Sequence, residues 1–382
     1  MQKIKSITYS QVGDNYETKD PIKKLAQAAA VKTGINLKKH GFEEVNDSRG
    51  ESAFVWSFGK AQDKQQMYMA SVIEGLGTKN LVADETGKIL DPERSRRTYY
   101  DIIGHDTVAS IINDLVSSGA KPLTINAYWA VGSNDWFKNI KRTKDLINGW
   151  KNACNLAGVA WGGGETPTLK EIIKENTIDV AGSAVGVIKS EKRLLTDKKL
   201  QVGDRIVFLK SSGINANGLS LARAVASKLP KGYAGKLPDG TMYGEALLTK
   251  TNIYATLIQN LLDANIDIHY ISNITGHGLR KVMRARHNFT YVIENIFEPQ
   301  DVFLFIKKHA NLDDYEMYQT YNMGMDYAIF LPKIHVKKAK SIIKKCGFGS
   351  IDAGYVKRGK RQVVIQPKGI TYKGGAFYPM HP

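Results

Sequence analysis

The stretch from Met67 to Lys79 reads M-Y-M-A-S-V-I-E-G-L-G-T-K, an apolar segment that runs into a glycine-rich turn. Its first half predicts a β-strand over residues 67–73. Gly75 and Gly77, followed by a threonine and a lysine, expose backbone N–H groups and a cation at one point, which suits a polyphosphate. The spacing is not the G-x-x-x-x-G-K-[ST] of a P-loop, so that class is not indicated. Taken alone, the stretch is also typical of a plain strand-to-loop turn.

Helices and strands alternate on both sides of a charged segment, residues 189–204. The N-terminal part is predicted to contain a helical stretch at 22–31, strands at 67–73, 123–131, 159–161 and 178–188, and helices at 99–118 and 141–156. The C-terminal part is predicted to contain strands at 205–209, 266–271, 290–294 and 326–331, helices at 218–228, 245–264, 278–284, 299–310 and 336–346, and a closing hairpin of 351–356 with 362–365. This pattern indicates an α/β or α+β fold.

A chain of 382 residues is long for one core and suits two domains. The charged segment closes with a Gly-Asp turn, so we place the boundary inside it. The predicted domains are residues 1–190 and 200–382. The tail from residue 372 is rich in glycine and proline and is predicted to be irregular.

The composition, 42% apolar and 24% charged, is that of a soluble globular protein. No apolar run approaches the ~18 residues of a membrane span, and the first ten residues lack the apolar centre of a signal peptide. We therefore expect a cytoplasmic protein with no membrane partner. Cys154 and Cys346 give neither a disulfide framework nor metal-ligand spacing, and we interpret both as buried thiols.

The formal charge of +17 favours an anionic partner and makes nucleic acid a rival hypothesis. The basic residues are spread over predicted helix surfaces, without a basic arm or an interleaved aromatic ladder. We therefore predict no nucleic-acid partner. The charge is either a plain solvated surface or a long-range attraction for phosphorylated ligands.

The predicted helix 99–118 carries polar residues among Ile and Val. Asp106 and Asn113 are seven residues apart, close to two helical turns, so they share a face next to which Asp114 projects. Either this face is a solvated stripe or it binds a ligand.

Four further stretches could carry chemistry. They are G-G-G-E-T at 162–166, S-S-G-I-N-A-N-G at 211–218, T-G-H-G at 275–278 and E-M-Y-Q-T-Y-N-M-G-M at 316–325. The glycine triplet allows a ligand to approach the backbone, although by itself it predicts only a loop. The T-G-H-G stretch precedes a predicted helix, a standard position for an anion. Capping alone would explain Asn217, and a strand entry alone would explain residues 316–325.

In order and spacing these stretches, together with D-V-A-G-S-A-V-G-V at 179–187, resemble the phosphoribosylformylglycinamidine cyclo-ligase (aminoimidazole ribonucleotide synthetase) family over nearly the whole chain. The resemblance implies two α/β domains, with the N-terminal sheets of two subunits joined in a homodimer and ATP bound near the interface. Residues 1–190 would be the ATP-binding and dimerisation domain. The implied activity is ATP-dependent closure of a small phosphorylated substrate, formylglycinamidine ribonucleotide, to aminoimidazole ribonucleotide, releasing ADP and phosphate.

The resemblance also implies roles for individual residues. Glu74, where the family has aspartate, and Asp114 would hold Mg²⁺. Lys79 would contact the ATP phosphates, Asp106 would contact metal or phosphate, and Glu165 would be an acid/base or a ligand-orienting carboxylate. The remaining nucleotide contacts would come from Gly75, Gly77, Thr78, Asn113, Gly163, Gly164, Thr275 and Gly276. Residues 9–20 resemble the loop that folds over the nucleotide, with a disordered tail as the alternative.

Several polar positions depart from the family pattern. They are Ala127 for aspartate, Asn215 for histidine, Asn252 for arginine, His277 for glycine and Gln319 for arginine. Four of these departures, all except His277, fall in the presumed substrate pocket. A divergent member that phosphorylates another small molecule is therefore the second hypothesis. It would be similar to a selenophosphate synthetase or a thiamine phosphate kinase. A basic nucleic-acid-binding protein without enzymatic activity is the third hypothesis.

Overall fold

The computed structural model describes residues 6–12, 16–58, 66–90 and 97–374. Two sheets form the framework, one from residues 42–188 and one from residues 205–373, so each draws on one side of the charged segment. This confirms the mixed α/β class. Within the described ranges, no helix has the length and apolarity needed to cross a membrane.

The first sheet has six strands. They are β1 (Phe42–Glu44), β2 (Phe54–Phe58), β3 (Met67–Gly75), β4 (Lys121–Val131), β5 (Ala160–Glu165) and β6 (Ile178–Ile188). Their order is β1-β2-β3-β6-β4-β5, and only β4 and β5 are parallel. One face is covered by helices, whereas the other leaves large apolar side chains such as Ile73 exposed.

The second sheet has seven strands. They are β7 (Arg205–Lys210), β8 (Tyr270–Asn273), β9 (Phe289–Ile293), β10 (Met325–Leu331), β11 (Ser350–Arg358), β12 (Gln362–Ile365) and β13 (Ile370–Lys373). Their order is β13-β12-β9-β11-β7-β10-β8. Strand β10 is buried along its whole length, which explains its apolar sequence.

Twelve α-helices lie in the described segments. They are α1 (Tyr9–Val12), α2 (Tyr16–Val31), α3 (Ile35–Lys38), α4 (Lys79–Leu90), α5 (Tyr100–Val116), α6 (Ile140–Ala157), α7 (Leu219–Lys228), α8 (Tyr243–Leu247), α9 (Ala255–Asp263), α10 (Asp301–Ala310), α11 (Asp314–Thr320) and α12 (Val336–Lys345).

Helix α5 is the element that positions the site. It packs on β3 and β6 and crosses α6 at two glycines. A Cβ on Gly104 would lie 2.4 Å from the carbonyl oxygen of Leu146, and one on Gly149 would lie 2.1 Å from that of Asp101, so only glycine permits this approach. Because α5 is buried on nearly all sides, its polar residues must find partners inside the protein.

Several sequence predictions are wrong in detail. The predicted helix 245–264 is two helices, α8 and α9, separated by residues 248–254. The predicted strand 266–271 is displaced to β8, and residues 162–165 form part of β5 rather than a loop. The predicted closing hairpin does not exist, because β9 lies between β11 and β12 and pairs with both.

The structures predicted for the N-terminal and C-terminal segments are confirmed only in part. Residues 9–12 and 16–31 are helical, while Gly13 of the predicted nucleotide-covering loop lies outside the described residues. The predicted irregular tail begins inside β13, and residues 375–382 also lie outside the described part.

Candidate functional site

Two carboxyl groups meet where strand β3 ends against helix α5. Glu74 donates a hydrogen bond from its carboxyl group to Asp114, and the side-chain amide of Asn273 donates to Asp114 Oδ1 over 2.6 Å. Burial, followed by the charge of Asp114, raises the pKa of Glu74 to about 8. The structure therefore brings the two predicted metal ligands together.

The pair fits magnesium in its donor chemistry. Across the described residues, no group of three or more His, Cys, Asp or Glu side chains could hold a metal. Mg²⁺ needs only one or two protein carboxylates when water and phosphate oxygens complete its shell. Because burial and the Asp114 charge raise the pKa of Glu74, the ionised form of this close carboxyl pair is unfavourable without a cation. A hard cation would stabilise that ionised form.

Lys79 occupies a closed environment at the start of α4. Its ammonium group donates to Asp106 Oδ2 (2.5 Å), to the carbonyl of Asn215 (2.8 Å) and to that of Thr249 (3.0 Å), and the Lys79 and Asp106 side chains are 0% exposed. These three bonds use all the donors of an ammonium. Lys79 thus joins the two halves of the chain, and a phosphate contact would require one of these bonds to open.

Asp106 and Asn113 share a face, as predicted, and that face binds the protein backbone. Asp106 Oδ1 accepts from the N–H of Thr251 (2.9 Å). Asn113 donates to the carbonyl of Asn252 (2.8 Å) and accepts from the N–H of Tyr254 (3.0 Å). These bonds hold residues 249–254 in a non-helical path, which explains the break between α8 and α9. Their predicted contacts with metal or nucleotide remain predictions.

The glycine-rich turn of β3 borders a cavity. Residues 75–78 line it on one side and residues 216–220, at the start of α7, line it on the other, around a volume of about 360 Å³. Gly77 and Gly218 have φ of +74° and +73°, and a Cβ on Gly218 would lie 2.1 Å from the Tyr321 ring. The glycine turn of β3 and the start of α7 therefore border one space, and turns and helix starts of this kind suit an anion.

Glu165 lies at the same end of the first sheet as Gly75. The cross-strand register runs from Gly75 to Ala181, from Ala181 to Tyr128 and from Tyr128 to Glu165. Three strand spacings correspond to roughly 14 Å, so Glu165 is not part of the Glu74–Asp114 pair. The preceding glycines belong to the exposed edge strand β5, where a Cβ on Gly164 would lie 2.4 Å from the carbonyl oxygen of Ala127.

Thr275 and Gly276 precede a short 3₁₀ helix (Gly278–Met283), and their contact with the nucleotide remains a prediction. Burial and nearby cations lower the pKa of His277 to about 2, so its imidazole is neutral. The cations that act on His277 are Arg280, Lys281, Lys23 and Arg284. We call these four residues the basic cluster.

Sequence reasoning missed the basic cluster and also Asp326. Two of the departures from the family pattern meet at the buried Asp326 carboxylate: Asn215 donates to its Oδ1 (2.7 Å), and Asn252 donates to the hydroxyl of Tyr254, which itself donates to Oδ2 (2.7 Å). Burial raises the pKa of Asp326 to about 6. The sequence signal that could have indicated this buried carboxylate is the single aspartate in the otherwise apolar strand β10.

Residues 52–188 match the family model described as AIR synthase related protein, N-terminal domain, and residues 201–366 match the one described as AIR synthase related protein, C-terminal domain. The chain belongs to this family. It is 30% identical over 367 residues to the phosphoribosylformylglycinamidine cyclo-ligase of Pyrococcus horikoshii, which covers 96% of this chain and 99% of the relative. It is 34% identical over 281 residues to that of Methanocaldococcus jannaschii, with coverage of 73% and 75%. The resemblance stated from the motifs is confirmed.

Solved structures show the same fold at low identity. A HypE-HypF complex gives a TM-score of 0.56 at 16% identity, covering 85% of this chain and 92% of the other. AaThiL complexed with AMPPCP and TMP gives 0.55 at 13% identity, covering 85% and 90%. These likenesses concern the fold alone.

Proposed function

We propose that this chain catalyses the ATP-dependent cyclisation of formylglycinamidine ribonucleotide to aminoimidazole ribonucleotide in purine biosynthesis, releasing ADP and phosphate. The observation that carries the proposal is the Glu74–Asp114 pair, because Glu74 directly precedes the glycine turn that lines the cavity. The cyclo-ligase relatives align over nearly the whole chain. Proteins of the same fold have been solved with ATP and with AMPPCP. We place the reaction in the cytoplasm.

The reaction has two steps. ATP first phosphorylates the formyl amide oxygen, which converts a poor leaving group into a good one. The amidine nitrogen then attacks that carbon, and phosphate leaves. Because little covalent chemistry falls to the protein, its contribution is positioning and charge neutralisation.

Our proposal divides these tasks among the site residues. Glu74 and Asp114 hold magnesium, which supplies positive charge for the ATP phosphates. Gly75, Gly77 and Thr78 contact the phosphates, while the Leu76 N–H between them is held by the Val180 carbonyl. Gly163, Gly164, Thr275 and Gly276 are further nucleotide contacts. Glu165 orients the substrate or transfers a proton. Asp106 and Asn113 support the site by fixing residues 249–254.

The test is one reaction in which aminoimidazole ribonucleotide and ADP are followed together. We expect the two products in equal amounts, because each cyclisation consumes one ATP. A matched incubation without formylglycinamidine ribonucleotide controls for background ATP hydrolysis. Nucleotide binding with no cyclised product at any substrate concentration would contradict the proposal.

That negative outcome would favour the second candidate, a kinase-like enzyme that phosphorylates another small molecule. The Asp326 network supports this candidate, because Asn215 and Asn252 belong to a single buried cluster rather than to scattered changes. Such a cluster can change the substrate pocket while leaving the metal pair intact.

We also propose a homodimer that joins the open faces of two first sheets. Ile73 is 77% exposed, and Met67, Leu123 and Tyr128 are also exposed on β3 and β4, the two strands that flank β6. A second copy with the same apolar surface is the occupant that this face fits best.

Light scattering at micromolar concentration should give twice the chain mass. Ile73→Lys is expected to shift the protein towards monomer, because it places a charge on the apolar face. Ile334→Lys, at a residue that is 83% exposed near α12, is the control and should remain a dimer. A wild-type monomer would refute the shared-sheet arrangement.

A further inference from the structure

A phosphate-binding site needs a cation with unused donors, and Lys79 does not supply one in this structure. All three of its N–H groups are bound to protein oxygens, two of them backbone carbonyls. Opening this arrangement would leave the Asp106 carboxylate buried without its cation. The cation for phosphate should therefore be sought elsewhere in the site.

The basic cluster contains such a cation. The Arg280 guanidinium contacts His277 Nδ1 (3.2 Å), and Arg284 donates to Ser52 Oγ (2.9 Å) and to the Gly50 carbonyl (2.7 Å) and pairs with Glu51 (3.2 Å). In contrast, the Lys281 ammonium has no hydrogen-bond or ion-pair partner among the described residues. Both arginines of the cluster are thus held by protein groups, whereas Lys281 keeps its three donors.

Strand β8 holds Lys281 beside the carboxyl pair. Ser272 Oγ donates to the Lys281 carbonyl over 2.6 Å, and the next residue, Asn273, donates to Asp114. Asp114 and Glu74 both lie within electrostatic range of the Lys281 ammonium group. The 3₁₀ helix is also held from its other side, because a Cβ on Gly278 would lie 2.3 Å from the Tyr318 carbonyl oxygen. The cation and the carboxyl pair are therefore anchored to the same strand end.

We infer that Lys281 binds a phosphoryl group at the Glu74–Asp114 pair, the role that the family resemblance assigns to Lys79. A compact ammonium with three free donors suits phosphate oxygens as a point charge. Arg280, Arg284 and Lys23 add positive potential around it. The phosphoryl group comes either from ATP or from the 5′-phosphate of the ribonucleotide. The inference rests on the proposed function in one respect: it takes the Glu74–Asp114 pair as the place where the reaction occurs.

The experiment measures binding by calorimetry with magnesium present, for the wild type and for Lys281→Met. The ligands are AMPPCP, ribose 5-phosphate, inorganic pyrophosphate and adenosine. We expect Lys281→Met to weaken binding of the phosphorylated ligand that uses the site by roughly 10- to 100-fold, the usual scale of a charge-assisted hydrogen bond. Adenosine, which has no phosphate, should bind equally to both proteins. Whichever of AMPPCP and ribose 5-phosphate is affected identifies the source.

Two further variants keep the test decisive. Lys337→Met, at an exposed lysine of α12, is the matched control and should bind like the wild type. Lys281→Gln, which removes the charge and retains a polar end, replaces Lys281→Met if that variant does not fold.

The outcomes separate this inference from the proposed function. Unchanged affinity of Lys281→Met for every phosphorylated ligand would overturn the inference, even where the wild type makes aminoimidazole ribonucleotide. A selective loss of AMPPCP, pyrophosphate or ribose 5-phosphate binding, with adenosine binding unchanged, would support it, even where no cyclised product forms. A wild type that binds no phosphorylated ligand would overturn both.

Discussion

Lys79→Met is expected to lower the free energy of unfolding by about 3–5 kcal/mol, because it leaves Asp106 as a buried carboxylate without its cation. Both side chains are 0% exposed, and the variant also removes the donor to two backbone carbonyls that belong to the other half of the chain. Urea unfolding of the wild type and the variant measures the difference.

A matched control lies on the same helix. Lys88 pairs with Glu85 near the end of α4, but these side chains are 69% and 52% exposed. Lys88→Met should therefore change the free energy of unfolding by less than about 1 kcal/mol. Adding Asp106→Asn to Lys79→Met should recover part of the loss, since the double variant buries no unpaired charge and retains an oxygen for the Thr251 N–H. A Lys79→Met protein as stable as the wild type but unable to bind ATP would return Lys79 to the phosphate role.

This contrast shows what the sequence could establish about helix α5. The seven-residue spacing predicts that Asp106 and Asn113 share a face, because this prediction depends only on helical geometry. It does not fix what lies opposite that face. In the folded protein the opposite group is the backbone of residues 249–254, more than 130 positions away in sequence. The meeting of Glu74 and Asp114 was predictable because the family resemblance named both of them as ligands of one metal.

The hairpin predicted in the second sheet was wrong for a related reason. Two strand-like segments flanking Gly359 predict a hairpin, since antiparallel neighbours are usually close in sequence. The observed sheet inserts β9 between them and pairs β9 with β12 in parallel, an arrangement that leaves no turn signal in the sequence. The basic cluster was not predicted either, because its members are far apart in sequence. Lys23 lies on α2, while the other three cations lie in or next to the 3₁₀ helix.

Asp114→Asn is expected to reduce magnesium-dependent ATP turnover by at least about 100-fold while the fold remains intact. Mutating a residue that only orients a metal ligand usually lowers activity by about 10- to 100-fold, and losing the ligand itself should lower it at least as much. Asparagine retains an oxygen for the Asn273 amide but loses the charge that a cation requires. Asp101→Asn, at a residue on the same helix whose pairing with Lys250 is solvent-exposed, is the control and should retain full turnover.

The pH dependence gives this prediction a second measurement. Burial and the Asp114 charge raise the pKa of Glu74 from 4.5 to about 8, so the metal-free folded protein holds a proton that the unfolded chain releases near pH 4.5. The resulting contribution to stability is complete below pH 4.5 and is lost as the pH rises through about 8. Magnesium must displace this proton, so its stabilising effect on thermal unfolding should grow with pH until about 8. In Asp114→Asn that magnesium effect should disappear, and magnesium-dependent ADP release at the parent rate would show that the pair does not hold the metal.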